Sequence, residues 1–228
     1  MDSSLKKARH GLLGDIRGLE FVQWGRDVRL SVRSNPEELP ALYAVIPVHK
    51  LILCARSPVF QAMFMGEMEE AVKSEVVIED CSLAAIKSVI SFMYSGILTF
   101  ACASHCVDVH TVADKYAVFD LVQLCEAYLL QKIQISDFTM GKEDFLVIWH
   151  AAKDKNLSSL EKACLAFLVK NGKLLKTWSY PSFLTHEQAL KVIQYGMDNF
   201  SVVPPVFMST RTDAYDPVTV VGDGQFDY

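Results

Sequence analysis

The chain has 228 residues, 51% of them hydrophobic and 21% charged, with 22 Lys+Arg against 27 Asp+Glu for a formal net charge of -5. A chain this apolar buries enough surface to offset its ordering entropy, which excludes wholesale disorder, and its length allows one large domain or two small ones. The acidic balance lacks the basic footprint of a nucleic-acid binder, and the one basic cluster, Lys6, Lys7 and Arg9, sits at the start of the chain.

The first ten residues are charged and hold no apolar core of the signal-peptide kind. The uncharged run 88–107 reaches spanning length, yet it carries Ser91, Ser95, Gly96, Ser104 and His105. Ser95-Gly96 reads as a break between two shorter elements, so a buried helix and a short strand are expected and no membrane span. Cys54, Cys81, Cys102, Cys106, Cys125 and Cys164 lie mostly inside apolar patterns, with no CxxC pair. They are expected to act as small hydrophobes in a reducing compartment, the cytoplasm or the nucleus.

In chain order, Leu12, Ile16 and Leu19 fall at i, i+4 and i+7, one stripe on a helical face. Ordinary packing and partner contact both fit that stripe. The alternation over 27–32 predicts a half-buried strand. A turn at Ser34-Asn35-Pro36 and a second strand over 43–48 make a hairpin with a long loop. Residues 49–55 read as a short apolar helix. Ser57-Pro58 then starts another, a capping hydroxyl followed by a proline where no amide donor is needed. That helix carries Phe60, Met63 and Phe64 and ends near Gly66.

A short strand is predicted over 75–78. Ser82 caps a helix with the stripe Ile86, Val89, Ile90 and Met93, closed at Ser95-Gly96. A brief strand over 97–100 and helices over 107–116 and 121–133 follow. This order predicts an α+β domain rather than alternating βαβ units. Beyond Ile135 the strand signals stop, and the composition shift at 135–137 marks the expected domain boundary. A helix is predicted over 143–153. Ser158-Ser159-Leu160-Glu161 reads as a capping box opening a helix through Leu168, stopped by Asn171-Gly172. Thr185-His186-Glu187-Gln188 reads as a second box, opening a helix to about Met197. The stretch 199–228, with Pro204, Pro205, Pro217, Gly222 and Gly224 and one Arg against four Asp, is expected to be an extended or mobile tail. No internal repeat is visible.

Enzyme and metal chemistry find little support. Cys102, His105, Cys106 and His110 are of zinc-ligating types, but their spacing matches no common pattern. Glu67, Glu69 and Glu70 lack a companion nucleophile and read as a solvated rim. Cys54 near His49 sits in an apolar helix, where a thiol is inert. No GxSxG, HExxH, Walker A or GxGxxG motif occurs, so no enzyme and no cofactor is expected.

Several segments, taken in order, resemble the BTB/POZ domain. They are Asp27-Val28-Arg29-Leu30, the run from Val48-His49-Lys50 through Arg56-Ser57-Pro58-Val59-Phe60, Ala62-Met63-Phe64, Met68-Glu69-Glu70, Phe92-Met93-Tyr94-Ser95-Gly96 and Ala113-Asp114-Lys115-Tyr116, followed by Leu121 and Cys125. The resemblance covers 12–133 and implies a small sheet with helical hairpins. Residues 134–198, with Trp149-His150-Ala151-Ala152, Leu157, Leu160 and 164–168, resemble an all-α, BACK-like helical extension. The relatives most resembled are the speckle-type POZ proteins, which join a substrate-binding MATH domain to BTB and BACK. The residues before Leu12 are too few for a MATH domain, which leaves substrate capture unassigned.

The resemblance implies site residues. It reweights Leu12, Ile16 and Leu19, with Ile52, as a two-fold homodimer interface, a self-complementary surface suited to C2 symmetry. It makes Asp27 and Lys50 a buried charged pair near the dimer floor. It makes Met68, Glu69 and Glu70 the hydrophobic-x-Glu motif that recruits cullin-3, Met68 the hydrophobic anchor and Glu70 the acid. The function implied is a non-enzymatic, homodimeric adaptor for a cullin-3 ubiquitin ligase. Its rivals are a BTB oligomerisation module for transcriptional or cytoskeletal assembly, and a MATH-less modulator forming mixed dimers with longer BTB proteins. His110 departs from the family pattern of a buried Leu, so looser packing or a hydrogen bond is expected there.

Overall fold

A computed structural model describes residues 17–20, 24–33, 42–66, 69–135, 140–171, 178 and 185–200. Three strands, β1 (Val28–Arg33), β2 (Tyr43–Val48) and β3 (Glu75–Ile78), form one sheet in the order β2-β1-β3. β1 runs antiparallel to β2, with Val28 opposite Val48 and Arg33 opposite Tyr43. It runs parallel to β3, with Leu30 opposite Val76. The two-residue period sends Val28, Leu30 and Val32 of β1, and Val76 and Ile78 of β3, into the core. Fully burying each such side chain stabilises the fold by about 1.5–3 kcal/mol. Pro47 is tolerated in β2 because that strand lies at a sheet edge, where a missing amide disrupts least.

Among the described residues of the first unit, the other elements are helices. They are α1 (Lys50–Arg56), α2 (Pro58–Met65), α3 (Glu69–Lys73), α4 (Leu83–Ser95), α5 (Ala103–Lys115), α6 (Phe119–Ile135), α7 (Lys142–Asp154) and the start of α8 (Ser158–Lys170). The chain divides into two units, Met1–Cys164 and Leu165–Tyr228. The second holds the end of α8, a stacked Phe167–Trp178 pair with centroids 6.2 Å apart, and α9 (His186–Phe200).

Local chemistry explains the helix ends. Ser57 Oγ accepts from the Phe60 amide at 3.1 Å and donates to the Tyr116 carbonyl at 2.5 Å. One buried hydroxyl thus caps α2 and ties it to the end of α5. Phe60 stacks on Tyr116 with centroids 4.5 Å apart, closing the same junction. Ser82 caps α4 through the Ala85 amide at 3.2 Å. Gly96 ends α4 at φ 67, a left-handed conformation that costs glycine nothing. The predicted stripe Ile86, Val89, Ile90 and Met93 is buried, and α4 packs on β1. Thr185 and Gln188 exchange two hydrogen bonds, at 2.8 and 3.3 Å, as the capping box at the start of α9 requires.

Other expectations need correction. Residues 97–100 form no strand, and α5 starts earlier than 107. Its cap is the Cys102 thiol, which accepts from the His105 amide at 3.5 Å. Ser158 lies in the first turn of α8 and is not its cap. α9 runs on to Phe200, past Met197, with Asn199 Nδ2 donating to the Tyr195 carbonyl at 3.0 Å. The turn at Ser34-Asn35-Pro36 and the tail beyond residue 200 lie outside the described residues. Among the described residues no helix is long and apolar enough to cross a membrane, and the 88–107 run is broken at Gly96.

Candidate interaction surfaces

The first surface gathers where the chain enters β1 and turns into α1. Leu12 and Ile16 lie outside the described residues; Leu19 and Ile52 are both half-buried. α1 has an unpaired amide at its first residue, as every helix does. Asp27 supplies the acceptor: its Oδ1 takes the Lys50 backbone N–H at 2.7 Å. A carboxylate at a helix N-terminus also meets the positive end of the helix dipole. The Lys50 ammonium lies 5.5 Å from the Phe64 ring centroid. In the single chain Asp27 is exposed and Lys50 half-buried.

His49, just before α1, is buried in a network with one consistent proton assignment. Its Nε2 lies 3.0 Å from the Trp24 carbonyl, an acceptor only, so Nε2 carries the proton. Nδ1, 2.8 Å from Tyr94 Oη, accepts the phenolic proton, while the His49 amide donates to the same oxygen at 2.9 Å. This network fixes the Trp24 backbone against α1 and leaves the indole 86% exposed. Leu51, the next outward position on α1, is 77% exposed. Sequence reading missed both residues: nothing in the residue types says which apolar side chains the fold leaves outside.

The second surface lies beyond α2. Met65 ends α2 at 71% exposure. Glu67 and Met68 lie outside the described residues. Glu69 and Glu70 open α3, where carboxylates favour the helix N-terminus. Glu69 takes a hydrogen bond from Lys73 one turn on, which holds its carboxyl below the usual range and raises the lysine. Glu69 is exposed and Glu70 half-buried, and Val72 of the same short helix is 83% exposed. α3 has no buried residue, which is why no apolar period announced it.

The metal candidates Cys102, His105, Cys106 and His110 lie at the cap of α5 and along that helix. Cys102 caps α5, and His105 Nε2 lies 3.0 Å from Ser88 Oγ. The Cys106 thiol donates to the Cys125 carbonyl at 3.6 Å, and its hydrogen bonding with Cys125, then burial, pushes it well up. Among the described residues, no group of three or more His, Cys, Asp or Glu is placed to hold a metal. Burial also raises the Cys54 thiol, which suits packing rather than nucleophilic attack. His110 is 3% exposed and neither ring nitrogen has a hydrogen-bond partner among the described residues. Glu126 Oε1 stands 3.6 Å from its Nε2, too far for the hydrogen bond its departure from Leu suggested. Burial, then the nearby Lys155 charge, pushes His110 below its ordinary value, although Glu126 and Asp114 pull the other way.

Residues 38–133 match the model of the BTB/POZ domain family. Residues 38–133 form a BTB/POZ domain. The chain is 30% identical over 151 residues to the BTB/POZ domain-containing protein At4g08455 of Arabidopsis thaliana, covering 66% of this chain and 59% of that protein. It is 41% identical over 133 residues to the TD and POZ domain-containing protein 3 of Mus musculus, covering 58% of this chain and 34% of the relative. The BTB domain of human gigaxonin is a similar solved structure at 22% identity and a TM-score of 0.42, covering 52% of this chain and 90% of that one. The chain thus spans from about a third to under two thirds of the lengths of these two curated relatives. BTB/POZ domains are protein–protein interaction modules, typically without catalysis, and the BTB fold here is followed by further helices.

Proposed function

We propose that this protein is a homodimeric BTB adaptor that recruits a cullin-3 ubiquitin ligase and presents a protein substrate to it. The observation that carries this reading is the position of Glu69 and Glu70 on the exposed helix α3, directly after Met68 and the end of α2. In cullin-recruiting BTB proteins a hydrophobic-x-Glu motif does this work, and Met68-Glu69-Glu70 has its form. Met68 is the flexible apolar anchor, and Glu70 contributes orientation and association rate at the rim. The dimer forms through Leu12, Ile16, Leu19 and Ile52, and Asp27 and Lys50 become buried only when the second copy covers them. Residues 134–198 act as a BACK-like helical extension of residues 12–133.

Isothermal titration against the N-terminal region of cullin-3 tests the reading. Met68→Ala and Glu70→Lys should each weaken binding by at least about tenfold, the scale of an interface hot spot, while the dimer persists. Unchanged affinity in both variants overturns the cullin contact and leaves an oligomerisation module.

A further inference from the structure

The sheet ends on β3, and among the described residues no strand pairs with its outer edge. The Arg29 amide donates to the Ser74 carbonyl at 3.0 Å. In a parallel pair, successive residues of a strand address their backbone groups alternately to the partner and away from it. Ser74, Val76 and Ile78 therefore face β1, and Glu75 and Val77 turn their N–H and C=O outward. Beside this edge a cleft of about 310 Å³ opens between α3 and β3, lined by Glu69, Glu70, Lys73, Glu75 and Val77. Val77 is 58% exposed. The Glu75 carboxylate is pinned on the outer face by Ser31 Oγ at 2.5 Å and faces Arg29 at 3.5 Å.

An unpaired edge is a template for another strand, and side chains around it decide which strand is accepted. Three carboxylates against the Lys73 ammonium and the Arg29 guanidinium leave the edge net negative, which disfavours a second copy of the same edge and any acidic segment. A segment alternating Lys or Arg with apolar residues turns its basic side chains to the face that carries Glu75 and Val77, their aliphatic stems covering Val77, and its apolar side chains to the face of Val76 and Ile78. We propose that the outer edge of β3, with the carboxylate-lined cleft beside it, docks an extended basic segment of a partner protein by strand addition. The contact needs neither the dimer nor cullin. With only four residues in β3, backbone pairing and charge attraction act together, so binding weakens as salt rises.

The test uses the full chain and a labelled peptide alternating Lys and Val, with two controls. One control replaces Lys by Glu; the other is methylated on alternate backbone nitrogens, which removes the donors a strand needs. Anisotropy should show binding of the Lys/Val peptide alone, weakened by salt and by the double change Glu69→Gln with Glu70→Gln. Hydrogen exchange of the Val77 amide should slow on binding. Met68→Ala should leave peptide binding intact, which separates this site from the cullin contact. Failure of the Lys/Val peptide to bind, equal binding of the methylated peptide, or unchanged exchange at Val77 overturns the proposal.

Discussion

The carboxylate of Asp27 is fastened to the backbone amide of Lys50, at 2.7 Å, while the Lys50 ammonium reaches over the ring of Phe64, 5.5 Å from its centroid. The two residues are joined by helix capping before any charge pairing is considered. That distinction separates what the single chain needs from what a dimer needs.

Asp27→Ala should therefore destabilise the chain by about 1 kcal/mol in urea denaturation, the usual cost of a lost cap. Asp27→Asn, which keeps an acceptor oxygen, should cost less. Lys50→Met keeps the backbone donor and should leave the capping contribution in place. A loss of stability in Lys50→Met as large as in Asp27→Ala would show that the ammonium, and not the amide, holds the pair.

Ser57→Ala removes the α2 cap and the tie to the Tyr116 carbonyl in one step, leaving two buried backbone groups without their partner. The expected cost is about 2–4 kcal/mol, since each buried group left unsatisfied carries its own desolvation penalty. Urea midpoints of Ser57→Ala and Ser82→Ala compare the two caps directly, and Ser57→Ala should lose more. Ser82 is exposed and makes one cap bond.

The Ser57-Pro58, Ser82 and Thr185 signals were readable because capping is decided within four residues of chain, and the structure keeps all three. The start of α5 was not readable: its cap is a cysteine, a weak acceptor outside the usual set of Ser, Thr, Asp and Asn. Residues 97–100 look β-like by type, but no sheet edge takes them up, and pairing is a tertiary event. α3 escaped notice because it buries nothing and is held by its Glu69–Lys73 pair and its neighbours. Of the candidate surfaces, the acids of the Met68-Glu69-Glu70 motif could be named in advance. The exposure of Leu51 and Trp24 could not, since it depends on which neighbours fold over them.

His110 gives the fold a pH dependence of known sign. Burial depresses its folded-state value below the unfolded value of 6.5, so the unfolded chain binds the extra proton. The neutral ring's contribution is complete above pH 6.5 and is lost as pH falls through the depressed folded value. Urea denaturation between pH 7.5 and about 5 should show stability falling with acid, and His110→Leu should flatten that slope. An unchanged slope in His110→Leu would place the effect elsewhere.

Gly96 ends α4 at φ 67 with open space where a side chain would stand. Gly96→Ala should cost about 1 kcal/mol from backbone strain alone, and Gly96→Asn less, because Asn tolerates the left-handed region. Thermal denaturation of the pair checks the order.

Sedimentation velocity on the chain and on Ile52→Asp tests the adaptor reading at its root, because every partner contact proposed for the first surface requires a second copy there. At micromolar concentration the unaltered chain should sediment as a dimer. Ile52→Asp should sediment as a monomer with unchanged circular dichroism. A monomeric unaltered chain, or a dimer that survives Ile52→Asp, would contradict the account.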